Sequence, residues 1–343
     1  MIIIPHLKNL KRDMGGYNLG TNMDSHINTP AFSLFNVEYN LLIAEELLRL
    51  RLSQMIINEK IKNKEFKIPI HLALGHEAIA FSVEASMEPA DQLVLPHRNL
   101  HYNLAREKSL KPIVEEFLLK ETGLAKSQLG SMNLANKEKG IVYTSSILGN
   151  NLSVATGLAL GKKVRKENGI VLVVLGDGAM EEGSLYENLV FLRSNQLPSL
   201  VIIENNQWSL ATKIEERRCG IDLKKFADSL GIKFEKLVGN DPYQYFSRLK
   251  ELKEYSMSNN LPVCIEVELA TLGYWHVNTE GYAPPGRFIN YHAGAAPTVN
   301  LLEWPLIEES TDDPLFVLKK YFDENQLRKI SAKVLLSLQE ELL

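Results

Sequence analysis

The chain has 343 residues, 45% of them apolar, and 38 Lys and Arg against 42 Asp and Glu give a formal net charge of −4. That length holds one large α/β domain or two smaller ones, and the near-balanced charge points to neither a nucleic acid nor an acidic membrane surface as partner. No run reaches the roughly 18 apolar residues of a membrane span, and the lone thiols Cys219 and Cys264 offer no disulfide framework or zinc site, which fits a reducing, cytoplasmic setting.

Residues 1–34 are polar and without clear period, and read as an N-terminal arm; Met1–Pro5 is too short for a secretory apolar region. From Phe35 to about Lys64 a broad apolar stripe (Leu41, Leu42, Leu48, Leu52, Met55, Ile56) predicts a long helix that opens a single domain over 35–343. A helix over Ala78–Met87, stopped by Pro89, precedes a strand in Gln92–Pro96. Helices follow at Lys111–Leu119 and, built on the small residues Ala155, Gly157 and Ala159, at Val154–Lys162. Ile170–Leu175 is an uninterrupted apolar run of strand length, as a parallel strand buried on both faces requires. Leu185, Leu189 and Leu192 share one helical face, Asn195 and Pro198 punctuate its exit, and Leu200–Ile203 is a second buried strand. This is a βαβ unit with a right-handed crossover. A helix over Asp222–Leu230, a strand over Lys233–Val238, a helix over Pro242–Asn259 and a strand over Pro262–Val267 complete an α/β fold. Its sheet is mostly parallel, with helices on both faces.

Polar groups stand where the two central strands end: Asp177 after the first and Asn206 after the second. Adjacent parallel strands bring those ends to one sheet edge, where ligands bind. A carboxylate, an amide oxygen and a loop carbonyl are hard ligands suited to Mg2+ or Ca2+ held with substrate phosphates. Gly176 and Gly178 let a phosphate approach the backbone, and the following helix aims its N-terminus at the same spot.

Gly176-Asp177-Gly178, the 26 residues 179–204, then Asn205-Asn206 resembles the thiamine diphosphate motif of thiamine diphosphate-dependent enzymes. His71-Leu72 with Gly75-His76-Glu77-Ala78 resembles a segment of the α subunits of the decarboxylating first components of 2-oxo acid dehydrogenases, the pyruvate, branched-chain and acetoin types. The resemblance runs from about Leu41 to Leu335, is weakest between Gly273 and Asn300, and returns at Asp312-Asp313-Pro314-Leu315, which resembles the start of the family's C-terminal helical tail. It implies a thiamine diphosphate-binding fold, thiamine diphosphate and Mg2+ (or Ca2+) as cofactors, and a metal held by Asp177, Asn206 and the Trp208 carbonyl. His97, Arg98, Ser146, Leu148, Gly176, Asp177, Gly178, Ala179, Asn206, Trp208 and Leu210 would bind the cofactor, with Arg98 on the diphosphate and Leu148 as an apolar wedge beneath the bent cofactor. His71 and His276 would handle substrate carboxylate and protons. The implied partners are a β subunit in an α2β2 heterotetramer, a small 2-oxo acid and a lipoyl-bearing acyltransferase.

The sequence also departs from that pattern. His76 replaces a Gln, Leu100 stands where the family often has a His, with His101 next, and Asn133 replaces a His. Gly273 stands at the place of an Arg that serves the diphosphate, so Lys213 or the partner subunit would have to compensate, and His276 fits the pattern only with one residue deleted. Two further readings stay open on these departures: a thiamine diphosphate-dependent decarboxylase, carboligase or transketolase-like enzyme of a biosynthetic pathway, and a non-catalytic subunit that keeps the fold.

Overall fold

Alternate residues along the central strands enter two separate cores. Leu172, Val174, Leu200, Ile202, Val263 and Ile265 point to one face of the sheet; Val171, Val173, Leu175, Val201, Ile203 and Cys264 point to the other. That is the period-2 alternation of a strand covered on both sides, and it explains why these stretches carry no polar residue. The computed structural model describes residues 37–210, 212–273 and 292–343. The expected N-terminal arm, His276 and most of Thr279–Asn300 lie outside the described residues.

The strands are β1 (Gln92–Pro96), β2 (Ile141–Ser145), β3 (Val171–Gly176), β4 (Ser199–Asn205), β5 (Trp208–Ser209), β6 (Thr212–Lys213), β7 (Lys233–Leu237) and β8 (Pro262–Glu268). Six form one sheet in the order β2-β1-β3-β4-β8-β7, with every pairing parallel. β5 and β6 form a separate antiparallel pair. Helices Asn150–Arg165, Gly183–Ser194 and Leu223–Ser229 cover one face; Val37–Lys62, Glu77–Ser86 and Pro242–Asn259 cover the other. The α/β, parallel, two-sided architecture read from the sequence is the observed one.

The long helix differs from its expectation in one respect. Its apolar stripe predicts one buried face, yet from Ile43 to Ile57 it is buried nearly all round, polar residues included. Most of those polar residues are paired, although the buried Ser53 Oγ has no partner among the described residues. The fully buried Arg51 donates to the Glu77 carboxylate at 2.7 and 3.1 Å and to Asp313 at 2.9 and 3.1 Å. A bidentate fork matched to two carboxylates is the arrangement in which a guanidinium survives desolvation. It ties the long helix to the His71–Glu77 loop and to the C-terminal helices. Asp313 also caps its own short helix, accepting from the Leu315 N–H at 2.9 Å ahead of Pro314.

The His71–Glu77 loop is held from both sides. The Gln54 amide accepts from the Ala73 N–H at 2.7 Å and donates to the Ala73 carbonyl at 3.2 Å. The Leu272 N–H donates to the Leu74 carbonyl at 2.8 Å. Gly75 turns the loop at φ +95°, and a Cβ there would collide with the Ala270 carbonyl, so only glycine fits.

Candidate active site

β3 and β4 run in register, Gly176 opposite Glu204, so Asp177 and Asn206 emerge side by side from the carboxyl edge. Both line one cleft that opens to solvent. β1 contributes Pro96, His97 and Arg98 to its wall, and β2 contributes Ser145 followed by Ile147, Leu148 and Gly149. The Gly-Asp-Gly turn supplies the floor as Gly176, Asp177, Gly178 and Ala179, and Trp208, Ser209 and His292 complete the wall. This is the crevice beyond the strand ends where open parallel sheets place their ligands. Between β3 and the next helix the chain makes one 3-10 turn, Asp177–Glu181, and the helix starts only at Gly183. The expected helix N-terminus is therefore one turn further from the carboxylate than the sequence suggested.

Asp177 is 1% exposed. Burial pushes its carboxyl up to about 6 even though Arg217 works against the shift. The Arg217 Nη2 donates to the Asp177 Oδ2 at 2.8 Å, and its Nη1 pairs with Glu181. Glu181 is shared, since the Arg218 Nε lies 3.3 Å from its Oε1. Lys213, expected as a cation able to make up for the Arg missing at Gly273, sits over the Trp208 ring, 5.5 Å from its centroid. The cation that reaches the Asp177 carboxylate is Arg217. The signal for Arg217 was in the sequence, a Glu-Glu-Arg-Arg run after the motif, but a charge run near a strand end does not say which member turns inward.

The Asn206 Oδ1 accepts from the Trp208 N–H at 3.0 Å and its Nδ2 donates to Thr271 Oγ1 at 2.8 Å, which fixes the amide with its oxygen toward the Trp208 backbone. Asn205 turns away and donates to Glu266 at 2.7 Å. Arg98 is half-buried and donates to two backbone carbonyls, those of Leu72 and His292. Among the described residues no carboxylate pairs with it, and burial lowers its guanidinium to about 10 against the pull of Glu204 and Asp177. A guanidinium so placed is short of an anion. Gly176 has nothing within 4 Å of where a Cβ would stand, so its bare backbone is open to the cleft. An under-compensated buried carboxylate, an under-compensated guanidinium and a bare glycine floor are what a cation–diphosphate pair fits.

Leu148 is 42% exposed and lines the cleft instead of entering either core, a placement that costs apolar surface unless something covers it. Ser146 and Leu210 are exposed beside the cleft and are not among its lining residues; Ser145 and Ser209 are. Asn133 is exposed on its loop.

Three imidazoles gather next to Arg98. The ring centroids of His71 and His97 are 5.0 Å apart, His71 and His292 4.6 Å, and His97 and His292 4.7 Å. Burial, then the Arg98 charge, lowers all three, to about 2 for His71, about 4 for His97 and about 3 for His292, so they are neutral near pH 7. The buried His71 Nδ1 has no hydrogen-bond partner among the described residues. His292 was not singled out from the sequence; it lies in a Gly/Ala-rich stretch with no local pattern, and only the fold brings it to His71.

Deeper in the wall, Glu204 collects His101 Nε2 at 3.1 Å, His76 Nδ1 at 3.3 Å and the Tyr102 hydroxyl at 2.8 Å. Although burial works the other way, these neighbours hold the Glu204 carboxyl below its usual range. His76 continues through Thr271 (2.9 Å) to Asn206. His76 and His101, the two histidines that stand off the expected pattern, thus meet on one buried carboxylate.

A family model described as "Dehydrogenase E1 component" matches residues 47–272, ending just before Gly273. The chain is similar to the pyruvate dehydrogenase E1 component subunit alpha of Rickettsia bellii, 31% identical over 198 residues, 58% of this chain and 61% of that protein. It is similar to the Rhizobium meliloti protein of the same name, 28% over 197 residues, 57% of each chain. It also resembles the mitochondrial one of Dictyostelium discoideum, 26% over 223 residues, 65% of this chain and 58% of that protein. The chain thus matches under two thirds of the length of these relatives.

Proposed function

Because the chain belongs to the dehydrogenase E1 component family, we propose that it is the α subunit of a thiamine diphosphate- and Mg2+-dependent enzyme that decarboxylates a 2-oxo acid and passes the acyl unit to an acceptor. The observation that carries this reading is the cleft at the carboxyl edge, where Asp177, Asn206, Arg98 and the bare Gly176 converge.

In this reading Asp177, the Asn206 amide oxygen and the Trp208 carbonyl hold the Mg2+, and Arg98 meets the diphosphate with a bidentate fork that Lys would not reproduce. Leu148 supports the cofactor's middle, covering its own exposed apolar surface. Ala179 and the Gly176–Gly178 backbone line the diphosphate site. Bound thiamine diphosphate supplies a carbon nucleophile and an electron sink for loss of CO2. His71, His97 and His292 act as neutral donors toward a substrate carboxylate. A proton shuttle works best with a pKa near the operating pH, and an incoming carboxylate and diphosphate offset the Arg98 charge that helps hold these rings low. His276 stays a proposed second proton-handling residue. Ser146 and Leu210 are proposed to touch the cofactor by backbone atoms, which side-chain exposure does not oppose.

The rest of the assembly is a β subunit completing an α2β2 heterotetramer, with a lipoyl-bearing acyltransferase as acceptor and a cytoplasmic location. No described helix is long and apolar enough to cross a membrane. Titration of Mg2+ and thiamine diphosphate into the chain co-expressed with its β partner, with Asp177→Ala alongside and a panel of 2-oxo acids as substrates, tests the proposal. Equal cofactor binding by the variant would remove it.

A further inference from the structure

Arg217 and Asp177 form an ion pair on the spot where the proposed function puts a divalent cation. The guanidinium is 10% exposed and the carboxylate 2%, so neither charge is left to solvent. Among the described residues Arg217 is the one cationic side chain within ion-pair distance of Asp177. A divalent ion bound to the carboxylate would stand a few ångströms from the guanidinium, and like charges at that distance in a partly dry site repel by several kcal/mol (about 332/εr). Arg217 would have to give up Asp177.

Its alternatives are few. Glu181 already pairs with Arg218, so one carboxylate there faces two guanidinium groups once Asp177 is taken. The Arg217 Nη1 stands 3.7 Å from where a Gly178 Cβ would be, directly over the bare turn. Gly178 cannot grow a side chain, because its Cβ would meet the Ser209 Oγ at 2.5 Å. The guanidinium therefore needs only a pivot about its own side chain to reach an oxygen lying over Gly176–Gly178. Charge counting agrees. A Mg2+–diphosphate unit carries about −1, and with Asp177 that makes two negative charges, against Arg98 and Arg217.

We propose that Arg217 is a diphosphate-binding residue that waits on Asp177, so that loading is an exchange: the cation takes the carboxylate and the guanidinium takes a phosphate oxygen. The proposal rests on the cofactor reading above. No bond is made or broken; one ion pair is replaced by two.

The exchange predicts opposite signs for two measurements on the full chain. Mn2+, a paramagnetic stand-in for Mg2+, is titrated alone and followed by electron paramagnetic resonance. Inorganic pyrophosphate is titrated calorimetrically in the presence of Mg2+. Arg217→Gln should bind Mn2+ alone several-fold more tightly, because nothing competes for Asp177, and bind pyrophosphate roughly 10- to 100-fold more weakly, the worth of a charge-assisted hydrogen bond. Arg217→Lys, which keeps the charge and the fold but loses the fork, should fall between. Pyrophosphate binding unchanged or tighter in Arg217→Gln, or in Arg217→Lys if the first variant does not fold, overturns the exchange and leaves Arg217 as a plain counterion. A wild-type chain that binds neither probe overturns the cofactor reading, and the inference with it.

Discussion

The histidine cluster makes stability pH-dependent in a way that can be worked out in advance. His71, His97 and His292 have folded-state values of about 2, 4 and 3, against about 6.5 in an unfolded chain. The folded state therefore binds fewer protons than the unfolded state at any pH between those values and 6.5. Stability is fully present above pH 6.5 and is lost as pH falls. Going from pH 7.5 to 5.5, each imidazole costs about 1.4 kcal/mol, so three cost about 4 kcal/mol. Asp177 acts in the opposite sense: its folded value is raised to about 6, so the folded state gains a proton over the same interval and recovers about 1 kcal/mol. The net expected loss is about 3 kcal/mol, a large share of the stability of a domain. Urea unfolding of the cofactor-free chain at both pH values, followed by far-UV circular dichroism, measures it. A variant carrying His71→Asn, His97→Asn and His292→Asn should lose the drop. If it shows the wild-type dependence, the imidazoles are not held neutral by burial and Arg98, and the electrostatic picture of the cleft is wrong.

Asp313→Ala should destabilise the fold by about 3–5 kcal/mol in the same assay, since it leaves half of the buried Arg51 fork unpaired; a loss under about 1 kcal/mol would contradict the burial of that network. Leu148→Ala should change stability by less than about 0.5 kcal/mol, against the 2–5 kcal/mol of a core leucine, while turnover in the assembled enzyme drops at least tenfold. A large stability loss with normal turnover would make Leu148 a packing residue. Asp177→Asn removes the charge with little change of shape and should abolish Mg2+ and thiamine diphosphate binding, as read by calorimetry with the β partner present; retained binding would place the metal elsewhere. Glu116→Gln should loosen residues 125–130, because its carboxylate accepts from the N–H groups of Ala125, Ser127, Leu129 and Gly130 at 2.8–3.1 Å, and hydrogen exchange there should rise by at least tenfold.

The sequence by itself determined the strand–turn–helix–strand unit around Asp177 and Asn206, the parallel two-sided sheet and the family. Each rests on short-range regularities: an unbroken apolar run, glycines flanking an acid, amides at a fixed distance along the chain. Such regularities survive in the letters because backbone sterics and solvent avoidance act residue by residue. Only the tertiary structure decided that Arg217 meets Asp177, that His292 completes a trio with His71 and His97, and that His76 and His101 converge on Glu204. Those outcomes depend on which side chains share a low-dielectric space after distant segments pack, and charge interactions there are set by separations of a few ångströms that no local pattern encodes.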